Sequence, residues 1–144
     1  MQMTLMNFLL IWLNLLVYFN YMNLLLDTHI ILWWLDNNNK LLDKYFSAIA
    51  DSNNICYISS AVIWEISIKS ALGKLEIPDN FTDILQQEGF SELPVSWNHA
   101  AMVRQLPFYH KDPFDRLIIA QAIIEDLTLL TVDKVIPEYE VKIL

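Results

Sequence analysis

The hydrophobic positions of the chain form short apolar runs that alternate with longer stretches of helical periodicity. Five short runs predict strands at residues 23–26, 55–59, 93–96, 127–132 and 141–144. Five longer stretches predict helices at residues 40–51, 60–72, 78–87, 98–106 and 113–126. Because parallel strands need crossover connections, strands separated by helices indicate a three-layer α/β/α domain with a mostly parallel central sheet.

Two of the predicted helices have clear end signals. Ser59 and Ser60 offer an N-cap for the helix that follows the second strand, and Gly73 is a suitable stop for it. Asp112 followed by Pro113 is a strong start for the last helix, since proline fits the first helical position. The starts of these two helices are therefore better defined than the strand ends.

The first 26 residues contain no charged side chain. Taken literally, such a stretch predicts a membrane segment or a signal peptide. A signal peptide, however, has a basic n-region and a small-residue cleavage site, and a membrane anchor usually has nearby basic residues, whereas the first base here is Lys40. Our preferred interpretation is that residues 1–21 are an apolar extension from a mis-called start, that translation begins at Met22, and that residues 22–144 form the domain. A membrane anchor is the alternative, and a membrane partner is not expected.

Composition and charge restrict the class of protein. A chain of 144 residues with 55% hydrophobic residues can form one domain with a sizeable core. The formal charge of −8 argues against non-specific nucleic-acid binding through a basic face, but not against an enzyme that meets nucleic acid through bound cations. The single cysteine, Cys56, permits no internal disulfide, so the default compartment is a reducing cytoplasm.

Four acids occupy comparable places in the predicted fold. Asp27 and Asp133 directly follow strands, Glu65 lies in the helix after the second strand, and Asp115 lies in the first turn of the last helix. Because strand carboxyl ends and the following helix N-termini share one edge of a parallel sheet, we expect the four to converge there. Clustered carboxylates repel one another unless cations or raised pKa values relieve the charge. Oxygen-rich clusters suit Mg²⁺ or Mn²⁺, so the pattern predicts a divalent-metal site.

Three of these acids also have structural interpretations that stay open. Asp27 is well placed to cap the helix that follows it. Glu65 lies one helical turn before Lys69, with which it can form a surface ion pair, although it falls on the apolar arc of its helix. Asp133 suits an ordinary turn before Lys134.

Asp115 has a structural interpretation as well. It follows the N-cap residue Asp112 by three positions and can complete a capping box. Its helix is apolar almost all round, however, so a carboxylate buried there needs a partner, for which Arg116 is the candidate. His29 and His110 are weaker candidates near the same edge, because neither has metal-ligand spacing with another histidine or a cysteine.

The motifs around these acids carry a family resemblance. The chain contains four strings in this order: LLLDTHIILWWL, ISSAVIWEISIKSALGKLEIP, HKDPFDRLIIAQA and LTVDKVIPEYEVKIL. Together they resemble the PIN-domain ribonucleases of the VapC toxin type, from bacterial type II toxin–antitoxin pairs. One string alone is a weak signal, whereas four in register are specific. The resemblance covers residues 22–144 and leaves residues 1–21 outside.

The resemblance implies a catalytic site in which four acids bind Mg²⁺ or Mn²⁺. Matched motif by motif, these acids are Asp27, Glu65, Asp115 and Asp133, and Asp112 stands near the metal. We expect Asp27 and Asp115 to be direct metal ligands. Glu65 and Asp133 are expected to complete the cluster, directly or through water, and to orient the nucleophile.

The resemblance also implies an activity and partners. The expected activity is metal-dependent endoribonuclease cleavage of RNA phosphodiester bonds, with a cognate antitoxin protein as partner. A homodimer is expected, and the helix with Tyr45 and Phe46 is a candidate contributor to its interface. Two other classes are alternatives: a non-catalytic α/β interaction module, and a phosphoryl-accepting domain of the receiver or phosphatase type, which needs a lone nucleophilic aspartate with a partner lysine.

Overall fold

The computed structural model of the chain describes residues 3–19 and 21–144. Within these residues the helices are α1 (Leu5–Phe19), α2 (Thr28–Leu35), α3 (Asp43–Ala50), α4 (Ser60–Ala71), α5 (Phe81–Gln87), α6 (Trp97–Met102) and α7 (Pro113–Ile124). The strands are β1 (Asn23–Leu26), β2 (Ile55–Ser59), β3 (Ser91–Leu93) and β4 (Thr128–Leu130).

The four strands form one parallel sheet in the order β3-β2-β1-β4. In β1, Leu25 lies opposite Tyr57 on one side and Leu129 on the other. Ile143 forms a further parallel bridge with Leu129, so the predicted closing strand at 141–144 is reduced to a single bridge. The predicted three-layer α/β/α class with a parallel central sheet is confirmed.

The centre of the sheet is also the centre of the hydrophobic core. Leu24, Leu25 and Leu26 of β1 are fully buried, because helices cover both faces of this inner strand. From α7, Ile118 and Ile119 are buried in the same core. The uninterrupted apolar run that predicted β1 therefore reflects burial on two sides, and it leaves the carboxyl end of the strand as its first polar position.

Two predicted elements are displaced in the structure. The strand predicted at 93–96 lies at Ser91–Leu93, since Pro94 has no N–H group with which to continue the ladder. The helix predicted at 98–106 begins at Trp97 and ends as a 3₁₀ turn, Val103–Gln105. Its start is fixed by a capping box, in which the Ser96 hydroxyl accepts from the His99 N–H and His99 Nδ1 accepts from the Ser96 N–H.

Helix α1 makes up most of the apolar extension. Side chains at residues 3–16 are exposed, and none of them belongs to the hydrophobic core cluster found among the described residues. Across 3–19 and 21–144, no helix combines the length and the apolar character needed to cross a membrane. The predicted start at Met22 stays a prediction.

Helix α3 differs in one residue from the expectation for a surface contact. Tyr45 is 2% exposed, and its hydroxyl donates to the main-chain oxygen of Thr131 at 2.8 Å. Tyr45 therefore lies in the core and is unavailable to an interface, contrary to prediction. Phe46 is half exposed, and the centres of the Phe46 and Trp34 rings are 5.2 Å apart.

Candidate metal centre

The predicted acids meet in one pocket at the carboxyl-terminal edge of the sheet. Its wall includes all four: Asp27, Glu65, Asp115 and Asp133. The same pocket is also lined by Thr28, His29, Lys69, Asp112 and Val132. The sequence-based expectation of convergence at this edge therefore agrees with the arrangement of the side chains.

Asp27 serves as a helix cap and as a pocket residue at once. It is the N-cap of α2, and its Oδ1 accepts from the Thr28 N–H at 2.7 Å. Its Oδ2 accepts from the Thr131 hydroxyl at 2.8 Å. Asp27 is 7% exposed, and this burial raises its pKa although both hydrogen bonds oppose the shift. The carboxylate is thus held rigidly in a fixed orientation.

Glu65 is tied to Asp27 through a shared neighbour. Its Oε2 accepts from the Thr28 hydroxyl at 2.9 Å, so Thr28 contacts both acids. Its Oε1 accepts from Lys69 Nζ at 2.7 Å, which confirms the predicted ion pair. The Glu65 side chain is only 12% exposed, so this pair lies at the pocket wall rather than on an open surface. The hydrogen bond from Lys69 to Glu65 is the main reason that the pKa of Lys69 is raised.

Asp112 and Asp115 have different roles at the start of α7. The Oδ1 of Asp112 accepts from the N–H groups of Phe114 (2.8 Å) and Asp115 (3.3 Å), which confirms it as the N-cap. Among the described residues, no hydrogen bond reaches the Asp115 carboxylate, so the capping box is not completed. Burial, followed by the charges of Asp27 and Asp112, raises the pKa of Asp115 to about 7.

Arg116 is not the partner of Asp115 that the sequence suggested. It is 5% exposed, and its guanidinium donates to four main-chain carbonyls at 2.7–3.3 Å: Val103, Leu106, Pro107 and His110. The five donors and planar geometry of arginine allow such a set of contacts to the chain before α7. Arg116 therefore fixes the segment that precedes the helix and leaves Asp115 uncompensated.

Asp133 combines its predicted turn role with a place in the site. Its Oδ1 accepts from the N–H groups of Val135 (2.7 Å) and Ile136 (3.3 Å), which confirms the turn. Its Oδ2 lies 3.0 Å from His110 Nε2, and this contact lacks the alignment of a hydrogen bond. His110 was a weaker candidate from the sequence because it has no metal-ligand spacing with another histidine or a cysteine, and the structure places it near this edge as expected.

Two of the pocket acids, Asp115 and Asp133, also belong to a tight group of possible ligands that includes His110. His110, Asp115 and Asp133 each offer one ligand atom, and these atoms lie within 4.8 Å of one another. Asp27 and Glu65 line the same pocket as Asp115 and Asp133. His29 also lines the pocket but is exposed. The mixture of carboxylates and one imidazole is a donor set that suits a divalent cation.

Comparison with known proteins identifies the family. The PIN domain family matches residues 24–142, so the chain belongs to the PIN domain family. PIN domains are nucleases, and membership places the chain in a class of enzymes that hydrolyse phosphodiester bonds. No curated protein sequence matches the chain.

Solved structures share the fold at low sequence identity. One is VapBC2 from Rickettsia felis bound to a DNA fragment from its promoter, with a TM-score of 0.63, 23% identity, and coverage of 85% of this chain and 96% of that chain. Another is FitAcB from Neisseria gonorrhoeae, with a TM-score of 0.58, 22% identity, and coverage of 83% and 95%. FitAB bound to an IR36 DNA fragment has a TM-score of 0.53, 18% identity, and coverage of 84% and 93%.

Proposed function

We propose that the protein is a metal-dependent endoribonuclease that acts as the toxin of a toxin–antitoxin pair. The observation that carries this proposal is the convergence of Asp27, Glu65, Asp115 and Asp133 on one pocket. Helix caps and turn residues have no need to meet at one place, whereas ligands of one cation do. The match to the PIN domain family supports the nuclease assignment.

The residues of the pocket fit a divalent cation. Lys69 is the single lysine or arginine among the described residues that line it, against five carboxylates. Repulsion between Asp115 and the neighbouring carboxylates contributes to the raised pKa of Asp115. A bound cation would relieve this repulsion. In this proposal Asp115 and Asp133 hold the ion together with Asp27, and Glu65 completes the cluster directly or through water. Mg²⁺ and Mn²⁺ are the candidates.

The proposed mechanism depends on carboxylates that are already oriented. A bound cation would make its coordinated water more acidic and would stabilise charge on the phosphate and the leaving oxygen. Thr28 and Thr131 fix both oxygens of Asp27, and Thr28 and Lys69 fix both oxygens of Glu65. Glu65, held in this way, can orient the attacking water. Preorganised charges of this kind lower the reorganisation needed during reaction.

The charge of the chain indicates how partners would bind. With a formal charge of −8, RNA affinity must come from local bases and bound ions, which favours selection by shape or sequence. Lys69 has a half-exposed side chain at the pocket wall and can contact a substrate phosphate. An antitoxin with a basic segment would complement the acidic pocket, and its arginine or lysine could displace the cation. The fold shared with VapBC2 and FitAB supports this partner, and we also propose a homodimer.

The experiment compares three proteins on structured RNA in Mg²⁺, in Mn²⁺ and with a chelator. These are the parent, Asp115→Asn, and Asp79→Asn as a control acid that is exposed and outside the pocket. We expect cleavage by the parent and the control, loss of cleavage with the chelator, and a fall of about 100-fold or more in Asp115→Asn. The cation should also raise the melting temperature of the parent.

A different result would favour another class. If the parent and Asp115→Asn are equally inert on varied RNAs, and no cation raises the melting temperature of the parent, the proposal of a metal site is wrong. The non-catalytic interaction module would then be the better interpretation.

A further inference from the structure

The imidazole of His110 lies beside the acid pocket, in a group with Asp115 and Asp133, and the four acids do not explain its presence there. Its side chain is 15% exposed, and its Nε2 is buried without a hydrogen-bond partner among the described residues. A buried polar atom without a partner is costly, and where it persists it calls for a ligand or a water. The Nε2 atom lies 3.0 Å from Asp133 Oδ2.

The position of His110 is fixed from three sides. The main-chain N–H of His110 donates to the Tyr139 hydroxyl at 2.7 Å. The His110 ring stacks on the Tyr139 ring, with 6.3 Å between the ring centres. The carbonyl of His110 accepts from Arg116 at 3.3 Å. Neither backbone contact involves the imidazole nitrogens. The structure therefore holds the ring in place, with Nε2 3.0 Å from Asp133 Oδ2 and one ring nitrogen within 4.8 Å of an Asp115 carboxylate oxygen.

We propose that His110 Nε2 is a direct metal ligand beside Asp115 and Asp133, and that this nitrogen shifts the preference of the site from Mg²⁺ towards a first-row transition ion such as Mn²⁺. This inference rests on the proposed metal-dependent function and deepens it. Imidazole suits transition ions, whereas Mg²⁺ is bound through oxygen in near-ideal octahedral geometry.

The distances support ligation. Two neighbouring ligands of a metal with bonds of about 2.1 Å at right angles are about 3.0 Å apart, and opposite ligands are about 4.2 Å apart. The observed 3.0 Å between His110 Nε2 and Asp133 Oδ2 matches the first value. The three-residue group, within 4.8 Å throughout, accommodates both values. A hydrogen bond between His110 and Asp133 would instead align an N–H with the carboxylate oxygen, and Nε2 makes no hydrogen bond among the described residues.

The first test is pulsed electron paramagnetic resonance on the full chain loaded with Mn²⁺. The parent is compared with His110→Gln, which replaces the nitrogen by an amide that can still offer an oxygen, and with His29→Gln. His29 is the matched control, because it lines the pocket of the four acids but lies outside the group of His110, Asp115 and Asp133. We expect ¹⁴N coupling to the bound Mn²⁺ in the parent and in His29→Gln, and its loss in His110→Gln. Melting curves of the metal-free proteins check that each variant is folded.

The second test measures Mn²⁺ and Mg²⁺ affinities of the same proteins by calorimetry. In His110→Gln, the ratio of Mn²⁺ to Mg²⁺ affinity should fall by about 10-fold or more, since the nitrogen donor is lost. Mn²⁺ binding without nitrogen coupling in the parent would overturn the ligand role of His110 and leave the proposed function intact. Failure of the parent to bind either ion would overturn both.

Discussion

The Thr131 hydroxyl donates to Asp27 Oδ2 at 2.8 Å, although 104 positions separate the two residues in the chain. The same hydroxyl oxygen accepts from the Asp133 N–H at 3.1 Å. One threonine therefore joins the end of β1 to the segment after β4, and it fixes two of the four acids relative to each other. Thr131 is 5% exposed, so water does not replace these contacts easily.

Replacing Thr131 by valine tests this link. Thr131→Val keeps the shape of the side chain but removes the donor to Asp27 and the acceptor for the Asp133 N–H. We expect the free energy of unfolding to fall by about 1–3 kcal/mol. Metal affinity should fall by about 10-fold or more, because supporting hydrogen bonds orient metal ligands.

Urea unfolding and calorimetry measure the two effects. Thr128→Val is the control, since Thr128 lies on β4 outside the pocket. Equal effects of the two substitutions on metal affinity would show that Thr131 does not position Asp27.

The metal-free protein should lose stability as the pH rises, because of Asp115. The raised pKa, about 7 against the usual 3.8, means that the folded chain keeps a proton that the unfolded chain releases. The resulting stability is present below about pH 4 and is lost as the pH rises through about 7. Between pH 5.5 and pH 8 the melting temperature of the parent should fall, and in Asp115→Asn this fall should be smaller by about 3 °C. The difference corresponds to about 1 kcal/mol in the free energy of unfolding, after allowance for solvent screening.

Cations should reverse this pH dependence. Mn²⁺ or Mg²⁺ should raise the melting temperature of the parent more at pH 8 than at pH 5.5, because protons compete for the same carboxylate. Asp27, whose pKa is raised too, acts in the same direction and stays in the variant. If the melting temperatures of the parent and Asp115→Asn depend on pH in the same way, the group with the raised pKa is not Asp115.

The regular elements of the core were predictable from the sequence because their signals are local. β1 and β2 lie at the predicted residues. The apolar run of β1 reflects burial on both faces, and β2 is rich in β-branched and aromatic residues. The N-caps Ser59 and Asp112 also lie where they were predicted, because capping depends on neighbouring residues alone. β3 was displaced, since a three-residue edge strand has too short a pattern to define its own ends.

The convergence of the four acids was predictable because strand ends and the N-termini of the following helices share one edge of the sheet. Asp27 and Asp133 follow strands, so topology alone brings them to one edge of the sheet. The partner of Asp115 was predicted wrongly as Arg116, because the contacts of Arg116 depend on the loop before α7. No spacing rule reveals that Arg116 faces main-chain carbonyls rather than the acid beside it.

Arg116 should be among the most important residues for stability. Arg116→Lys keeps the charge but cannot reach four carbonyls, so several buried acceptors lose their donors. We expect the free energy of unfolding, measured in urea, to fall by about 2–4 kcal/mol. Arg104→Lys, at an exposed position, should change it by less than about 0.5 kcal/mol. A loss below about 1 kcal/mol for Arg116→Lys would show that the loop is held by other contacts.

Removal of residues 1–21 should leave the domain folded. The side chains of residues 3–16 are exposed, and the first contacts of the sheet begin at Met22, whose N–H donates to Asn54 Oδ1 at 2.8 Å. A chain that starts at Met22 should melt within about 2 °C of the full chain. It should also aggregate less, because exposed apolar surface promotes association. A fall in melting temperature of about 8 °C or more would show that α1 packs against the domain.

Anomalous diffraction at the manganese edge, from crystals soaked in Mn²⁺, tests the central claim most directly. The proposal predicts an anomalous peak in the pocket, within about 2.5 Å of a carboxylate oxygen of Asp115 and of at least one further acid among Asp27, Glu65 and Asp133. A pocket without a peak, at a Mn²⁺ concentration that saturates RNA cleavage, would contradict the proposal that these acids form the metal centre.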